Sequence, residues 1–167
     1  TVQNKLHWAI HGRTAAEIIH ERADATKPHM GLTTWKNAPK GPVRKTDVTV
    51  AKNYLSQEEL SALNRIVTMY LDYAELQAQN QRPMHMGDWV KKLDAFLQLN
   101  ERNILTHAGK VSHELAVERA ESQFDQYEAA QRRLAADQPT SDFDKAVEHV
   151  RRLEKKPRAK SRKKRSK

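Results

Sequence analysis

Apolar residues recur at intervals of three and four along most of the chain, the spacing that places them on one face of an α-helix. The first helix is predicted to begin near Val2 and to end before Gly12, since glycine favours the end of a helix. Thr14 and Glu17 start the second helix with a capping box, in which each side chain accepts a hydrogen bond from the other residue's backbone N–H. The apolar side of that helix consists of Ile18, Ile19 and Ala23.

The longest apolar face belongs to a helix that begins at a second capping box, Ser56 with Glu59. This helix should end near Arg82 and Pro83, because proline cannot continue it. Its apolar residues are Leu60, Leu63, Ile66, Val67, Tyr70, Leu71 and Ala74. They lie on one side of the helix, which predicts that this side packs against the rest of the protein.

Two more helices follow. One runs from about Asp88 to Leu99, with Trp89, Leu93, Phe96 and Leu97 on one face. The next has Ser112 as its N-cap, carries Leu115, Ala120, Phe124, Tyr127 and Leu134, and is interrupted by Pro139. A last helix after Ser141 would present Phe143, Val147, Val150 and Leu153. These two C-terminal stripes could also pair with a second copy of the chain, so a homodimer is an alternative to packing on the body.

Two segments lack a clear helical pattern. Residues 27–43 contain three prolines and two glycines, which exclude a continuous helix. They also contain Trp35, and we expect an ordered loop that this side chain anchors to the body. Residues 46–55 predict a short helix capped by Thr46 or Asp47, although their β-branched residues disfavour it.

The pattern therefore predicts an all-α protein of about six or seven helices in an irregular bundle, with one ordered Pro/Gly-containing loop. We divide it into a helical body (1–138), a C-terminal helix (139–154) and a disordered basic tail (155–167). No apolar run approaches the roughly 20 residues that span a bilayer, and there is no cysteine. We expect a soluble, cytoplasmic protein without a membrane partner. Because the chain begins inside a helix without methionine, we also expect a preceding segment in the natural protein.

The net charge of +9 is distributed very unevenly. Residues 151–167 hold 11 of the 30 lysines and arginines and only one acidic residue, Glu154. Residues 1–150 keep 19 basic and 20 acidic residues, a net charge of −1. Residues 1–150 are thus nearly neutral, and a nucleic-acid partner is predicted only for residues 151–167, which comprise the tail and the last four residues of the C-terminal helix.

The tail contains no aromatic side chain that could stack on a base, so it would contact phosphates without reading sequence. The predicted contacts are Arg151, Arg152, Lys155, Lys156, Arg158, Lys160, Arg162, Lys163, Lys164, Arg165 and Lys167. A tail that only increases solubility is the alternative.

Catalytic signatures are lacking: the sequence has no P-loop, nucleophile elbow or HExxH motif. Glu17, Arg22, Asp24 and Lys36 could still meet in a polar cleft once the helices pack, and they are the candidate catalytic residues. Equally, these charges could be paired locally at the surface.

Histidines near the start of the chain raise the question of a metal site. His7 and His11 are four residues apart, and Glu17 and His20 are three apart. Neither pair has the further ligands that a zinc or di-iron site requires, and Glu17 is already needed for the capping box. We predict no metal and no cofactor.

Several blocks of the sequence resemble the virulence RhuM family of bacteria. They are "TVQNKLHWAIHGRTAAEIIHERADA", "MGLTTWK", "AKNYLSQEELSALNRIVTMYLDYAE", "KKLDAFLQLNERNIL" and "HAGKVS", and together they run from residue 1 to about residue 124. The resemblance implies a bacterial protein often encoded in pathogenicity islands or other mobile DNA. It carries no catalytic residues to this chain.

Three functions are consistent with these features. The leading hypothesis is a virulence- or mobile-element-associated accessory protein that binds nucleic acid non-specifically through its tail. The first alternative is a toxin-like or nucleic-acid-processing enzyme with a polar cleft near the second helix. The second is a helical protein-interaction module.

Overall fold

The computed structural model describes residues 2–136 together with 147 and 150, and that part of the chain contains five α-helices and no strand. The helices are α1 (Val2–His11), α2 (Ala15–Arg22), α3 (Gln57–Gln79), α4 (Met86–Leu99) and α5 (His113–Ala136). Two short 3-10 segments, Pro28–Gly31 and Ala51–Tyr54, lie between α2 and α3. The prediction of an all-α protein is confirmed; the described residues contain five α-helices, against the six or seven predicted for the whole chain, and the last predicted helix falls almost entirely outside them.

Contacts divide the chain into residues 1–128 and residues 129–167. All the packing described below lies within the first of these units. The predicted boundaries at residues 138 and 154 fall outside the described residues and stay predictions.

Capping side chains set the helix starts as predicted. The Thr14 hydroxyl accepts from Glu17 N at 3.3 Å, and the Glu17 carboxylate accepts from Thr14 N at 2.7 Å. Ser56 and Glu59 exchange the same two bonds, at 3.2 and 2.8 Å. Gly12 ends α1 with φ of +69°, a conformation that a glycine adopts without the steric cost of a Cβ. Both capping boxes are confirmed.

The first core cluster joins α2, the loop segments and α5. Ile18 and Ile19 of α2 are completely or nearly buried, as are Met30 and Tyr54 from the segment between α2 and α3. Ala116 and Ala120 of α5 have no exposed surface at all, so α5 approaches this cluster closely through small side chains. The long irregular segment is thus part of the core.

The second core cluster joins α1, α3 and α4. Leu93 and Leu97 of α4 are fully buried against Ile66 of α3 and Ala9 of α1. Partly buried residues complete the cluster, namely Val2, Leu6, Ile10, Tyr70, Phe96 and Ile104. The face predicted for the helix from about Asp88 to Leu99 therefore contributes Leu93, Phe96 and Leu97 to this core.

The helix predicted over residues 46–55 is wrong. Only Ala51–Tyr54 is helical there, as a 3-10 turn. The buried Asp47 carboxylate accepts hydrogen bonds from Lys36 N at 3.2 Å and Arg44 N at 2.9 Å, which fastens two points of the preceding loop. Because the β-branched residues on either side of Asp47 disfavour a helix, the local geometry follows these loop contacts instead.

Three leucines assigned to apolar stripes are exposed: Leu71 by 62%, Leu115 by 49% and Leu134 by 58%. The packed face of α3 follows Leu63, Ile66 and Tyr70. Leu71 lies one position beyond that face, because only a narrow arc of the helix touches the rest of the unit.

Among the described residues, no helix combines the length and apolar character needed to cross a membrane.

The second core cluster depends on well-packed leucines. We expect Leu93→Ala to lower the free energy of unfolding by about 2–5 kcal/mol, because it removes apolar contacts and leaves a cavity. Urea unfolding followed by circular dichroism measures this change. The control is Leu99→Ala in the same helix, where the side chain is 82% exposed and the loss should stay within about 0.5 kcal/mol. Equal losses in the two variants would contradict the burial of Leu93.

Candidate functional site

Glu17, the first of the four candidate catalytic residues, holds two turns of the backbone together. Its carboxylate accepts from Thr14 N and from Lys110 N, each at 2.7 Å. Burial tends to raise the pKa of Glu17, but the hydrogen bonds from Thr14 and Lys110 outweigh it and lower the pKa below its usual value. The carboxylate is thus ionised and fully engaged in fastening the turn before α5 to α2.

Asp24 is hydrogen-bonded to a residue near it in the sequence, and Lys36 lies at the surface. One Asp24 oxygen accepts from Thr26 N at 2.9 Å and from the Thr26 hydroxyl at 2.7 Å, and Lys27 approaches the other oxygen to 3.8 Å. The Lys36 side chain is exposed. No hydrogen bond or ion pair joins any two of the four candidates, all of which the structure describes. A catalytic role for them stays a prediction.

Arg22, the fourth candidate, forms a bidentate ion pair with Glu59. Its two terminal nitrogens donate to the two carboxylate oxygens of Glu59 at 2.7 and 2.6 Å, a bidentate geometry that favours strong pairing. The first nitrogen also donates to the Tyr54 carbonyl at 2.7 Å. This hydrogen-bonded pair lowers the pKa of Glu59 to about 2 and raises that of Arg22. Sequence spacing could not identify Glu59 as the partner, because its place in a capping box already explained it.

His7 and His11 are in direct contact. His7 Nδ1 lies 3.2 Å from His11 Nε2, as expected for residues four apart on a helix. His7 is only 3% exposed. Burial, and then the neighbouring His7 ring, lower the pKa of His11 to about 4, so both histidines are neutral at pH 7. His11 Nδ1 is buried without a hydrogen-bond partner.

A metal site would need further ligands beside this pair. Within the described part of the chain, no group of three or more histidine, aspartate or glutamate side chains is arranged to hold a metal ion. The charge of Glu59 partly opposes the lowering of the His11 pKa. The Glu59 oxygens, however, are hydrogen-bonded to Arg22.

A cavity of about 1000 Å³ opens beside the histidine pair. Its wall is formed by residues from α1, α2, α3 and the segments that precede α3 and α5. His7 borders it, whereas none of Glu17, Arg22, Asp24 and Lys36 does. Pattern analysis could not reveal this cavity, because its walls come from segments far apart in the sequence.

Trp35 anchors the loop that contains Lys36, as predicted. It is 8% exposed, and its indole N–H donates to the Gly41 carbonyl at 2.8 Å. The His29 ring stacks on it with centroids 4.5 Å apart. His29 and Met30 both have positive φ, +52° and +60°, a costly conformation that the surrounding packing must maintain. The exposed Lys36 and Lys40 therefore lie on a loop whose backbone is held in place by the contacts of Trp35.

Other predictions fall outside the described residues. The eleven basic residues of 151–167 lie there, as do Phe143 and Leu153 of the last predicted stripe. Val150 is described and is 52% exposed. A homodimer through these C-terminal stripes stays a prediction.

The chain was compared with known proteins. The family model described as virulence protein RhuM family matches residues 1–135. No curated protein and no solved structure matches the chain. The matched region contains α1 to α4 and almost all of α5, with both histidines and the Arg22–Glu59 pair, and it ends before the basic residues 151–167.

The Arg22–Glu59 pair predicts a specific acid sensitivity. Because the pKa of Glu59 is lowered to about 2 in the folded state, its stabilising effect is complete above about pH 4.5 and is lost as the pH falls toward 2. Glu59→Gln keeps the capping box but removes the charge. We expect it to cost about 2 kcal/mol at pH 7, allowing for partial exposure, and almost nothing at pH 2.

Urea unfolding at pH 7, 4 and 2 measures this difference. Glu118→Gln, an exposed glutamate of α5, is the matched control and should leave the curve unchanged. A cost of Glu59→Gln that does not vary with pH would show that the ion pair contributes nothing.

The lowered pKa of His11 predicts a second loss of stability, at higher pH than the one caused by Glu59. A lowered histidine pKa means that the unfolded chain binds the proton more readily, so stability falls as the pH decreases from 6.5 to about 4. We expect His11→Gln to reduce that fall by an amount on the order of 2 kcal/mol. Unfolding free energies at pH 7.5, 6, 5 and 4.5 test this. His113→Gln, at an exposed position, is the control, and parallel curves for wild type and His11→Gln would contradict the buried pair.

Proposed function

The chain belongs to the virulence protein RhuM family, and we propose that it is an accessory protein of a mobile element that binds nucleic acid non-specifically through residues 151–167. The observation that carries the proposal is the separation of charge. Eleven basic residues and one acidic residue lie in the last 17 positions, whereas residues 1–150 have a net charge of −1. Such a cationic segment binds the phosphate backbone by releasing its counterions.

Ion pairing in the described residues supports this separation of charge, because five lysines and arginines are paired with carboxylates. Ion pairs join Lys5 to Asp94, Arg13 to Glu21, Arg22 to Glu59, Lys27 to Asp24 and Lys45 to Glu121. Each pair leaves less positive potential at the surface for a polyanion. The body would thus be carried to nucleic acid by the tail and would act on whatever is bound there.

The loop anchored by Trp35 is the main rival location on the body. Lys36, Lys40 and Arg44 are exposed, and none forms an ion pair with another described residue. Asp47, the acidic residue closest to them in the sequence, is buried and accepts backbone hydrogen bonds from Lys36 N and Arg44 N. These two lysines and one arginine carry the same charge as Lys163, Lys164 and Arg165 of the tail, so the effect of neutralising each set can be compared directly.

Two full-length triple variants test the proposal. We expect Lys163→Gln, Lys164→Gln and Arg165→Gln together to weaken binding to a generic DNA duplex and to flatten the plot of log affinity against log salt by up to about 3. Fluorescence anisotropy with a labelled duplex and a labelled RNA, at several salt concentrations, gives both quantities. The matched control, Lys36→Gln with Lys40→Gln and Arg44→Gln, removes the same charge and should change the slope little.

Equal losses in both variants would show that the loop is a binding face and that the tail is not the sole anchor. If the wild-type chain binds neither nucleic acid at low salt, the proposed function is wrong.

A further inference from the structure

We propose that the cavity beside His7 binds a small anionic molecule with an apolar body, held by a hydrogen bond from His7 and by the charge of Lys52. This site is independent of the nucleic-acid association proposed above. Its volume of about 1000 Å³ lies at the upper end of the range for small-molecule sites and far exceeds the voids of a packed core.

The apolar part of the ligand is indicated by the wall. Aliphatic side chains line most of it, contributed by Leu6 of α1, Ile19 of α2, Leu63 and Val67 of α3, and Val111 before α5. Burying the apolar body of a ligand against these groups provides the non-directional part of the affinity.

The charge of the ligand follows from the polar groups of the same wall. Lys52 lines the cavity, is exposed to solvent, and forms no ion pair with a described residue. No aspartate or glutamate is among the described residues of the wall. A cationic ligand would therefore lack a counter-charge, whereas a carboxylate, sulfonate or phosphate would pair with the lysine.

The histidine pair supplies a directed donor. A buried N–H without a partner is rarer and more costly than an acceptor without one, so the unpaired His11 Nδ1 carries no proton. Neutral His11 then has its proton on Nε2 and donates it to His7 Nδ1, 3.2 Å away. Neutral His7 must consequently carry its own proton on Nε2.

That second nitrogen of His7 has no hydrogen-bond partner among the described residues; although the residue as a whole is only 3% exposed, this atom is not fully buried, unlike His11 Nδ1. His7 lines the cavity, so its N–H is the group that a bound anion or another acceptor would satisfy. The contact between His7 and His11 holds the ring in this tautomer.

A pair of fluorescent probes distinguishes the anion from the apolar body. The anionic probe is 8-anilinonaphthalene-1-sulfonate, and N-phenyl-1-naphthylamine is a nearly identical molecule without the sulfonate. We expect the full-length protein to bind both saturably. Lys52→Gln should weaken the anionic probe about tenfold and leave the neutral probe unchanged, since only the former gains from the charge.

Two further variants make the result specific to the cavity. Lys40→Gln removes an exposed cation that does not line the cavity and should change neither affinity. Val67→Phe fills part of the cavity from α3 and should weaken both probes, with thermal unfolding used to confirm that the variant is folded. In ¹H–¹⁵N spectra of the histidine rings, the anionic probe should shift His7 Nε2.

Three outcomes would overturn the proposal. They are the absence of saturable binding of either probe, an equal response of the two probes to Lys52→Gln, and a loss with Lys40→Gln as large as with Lys52→Gln. The last result would indicate attraction by general surface charge. None of these outcomes affects the nucleic-acid test, which measures different variants.

Discussion

The Arg22 guanidinium joins the end of α2 to the start of α3, 37 residues later in the sequence. It belongs to the last residue of α2, donates to both carboxylate oxygens of Glu59 at the start of α3, and donates to the Tyr54 carbonyl between them. Gly31 is drawn into the same arrangement, because a Cβ at that position would lie 2.6 Å from the Arg22 carbonyl oxygen. These contacts fix the two ends of the segment that connects α2 to α3. The loop with Trp35 is part of that segment.

This arrangement changes how the charged residues around α2 are interpreted. Glu17 and Arg22 were candidate catalytic residues. Glu17 instead accepts hydrogen bonds from the backbone of Thr14 and Lys110, and Arg22 donates to the Tyr54 carbonyl and to Glu59. Charged groups that are paired in this way stabilise a structure and are poorly available to a substrate. Beside the cavity, the neutral His7 keeps a ring nitrogen, Nε2, that has no hydrogen-bond partner among the described residues.

The two proposals concern different parts of the chain and different physics. The proposal for residues 151–167 rests on dense positive charge, which would pair with any phosphate backbone and would make binding depend strongly on salt. The cavity offers shape, an apolar wall and a few fixed polar groups, which suit one small molecule. A protein with both features could be placed on nucleic acid by one and controlled by a ligand through the other.

The helices, their capping boxes and the uneven distribution of charge were determined by the sequence alone. These features depend on residues within four positions of each other or on simple counting, as in Thr14 with Glu17. Tertiary structure decided the conformation of residues 46–55, since the Asp47 carboxylate accepts a hydrogen bond from Lys36 N, 11 positions earlier in the chain, rather than capping a helix. The exposure of Leu71, the pairing of Arg22 with Glu59 and the cavity beside His7 were decided in the same way. Each requires segments distant in sequence to meet at a definite angle, and the periodicity of one helix carries no record of that angle.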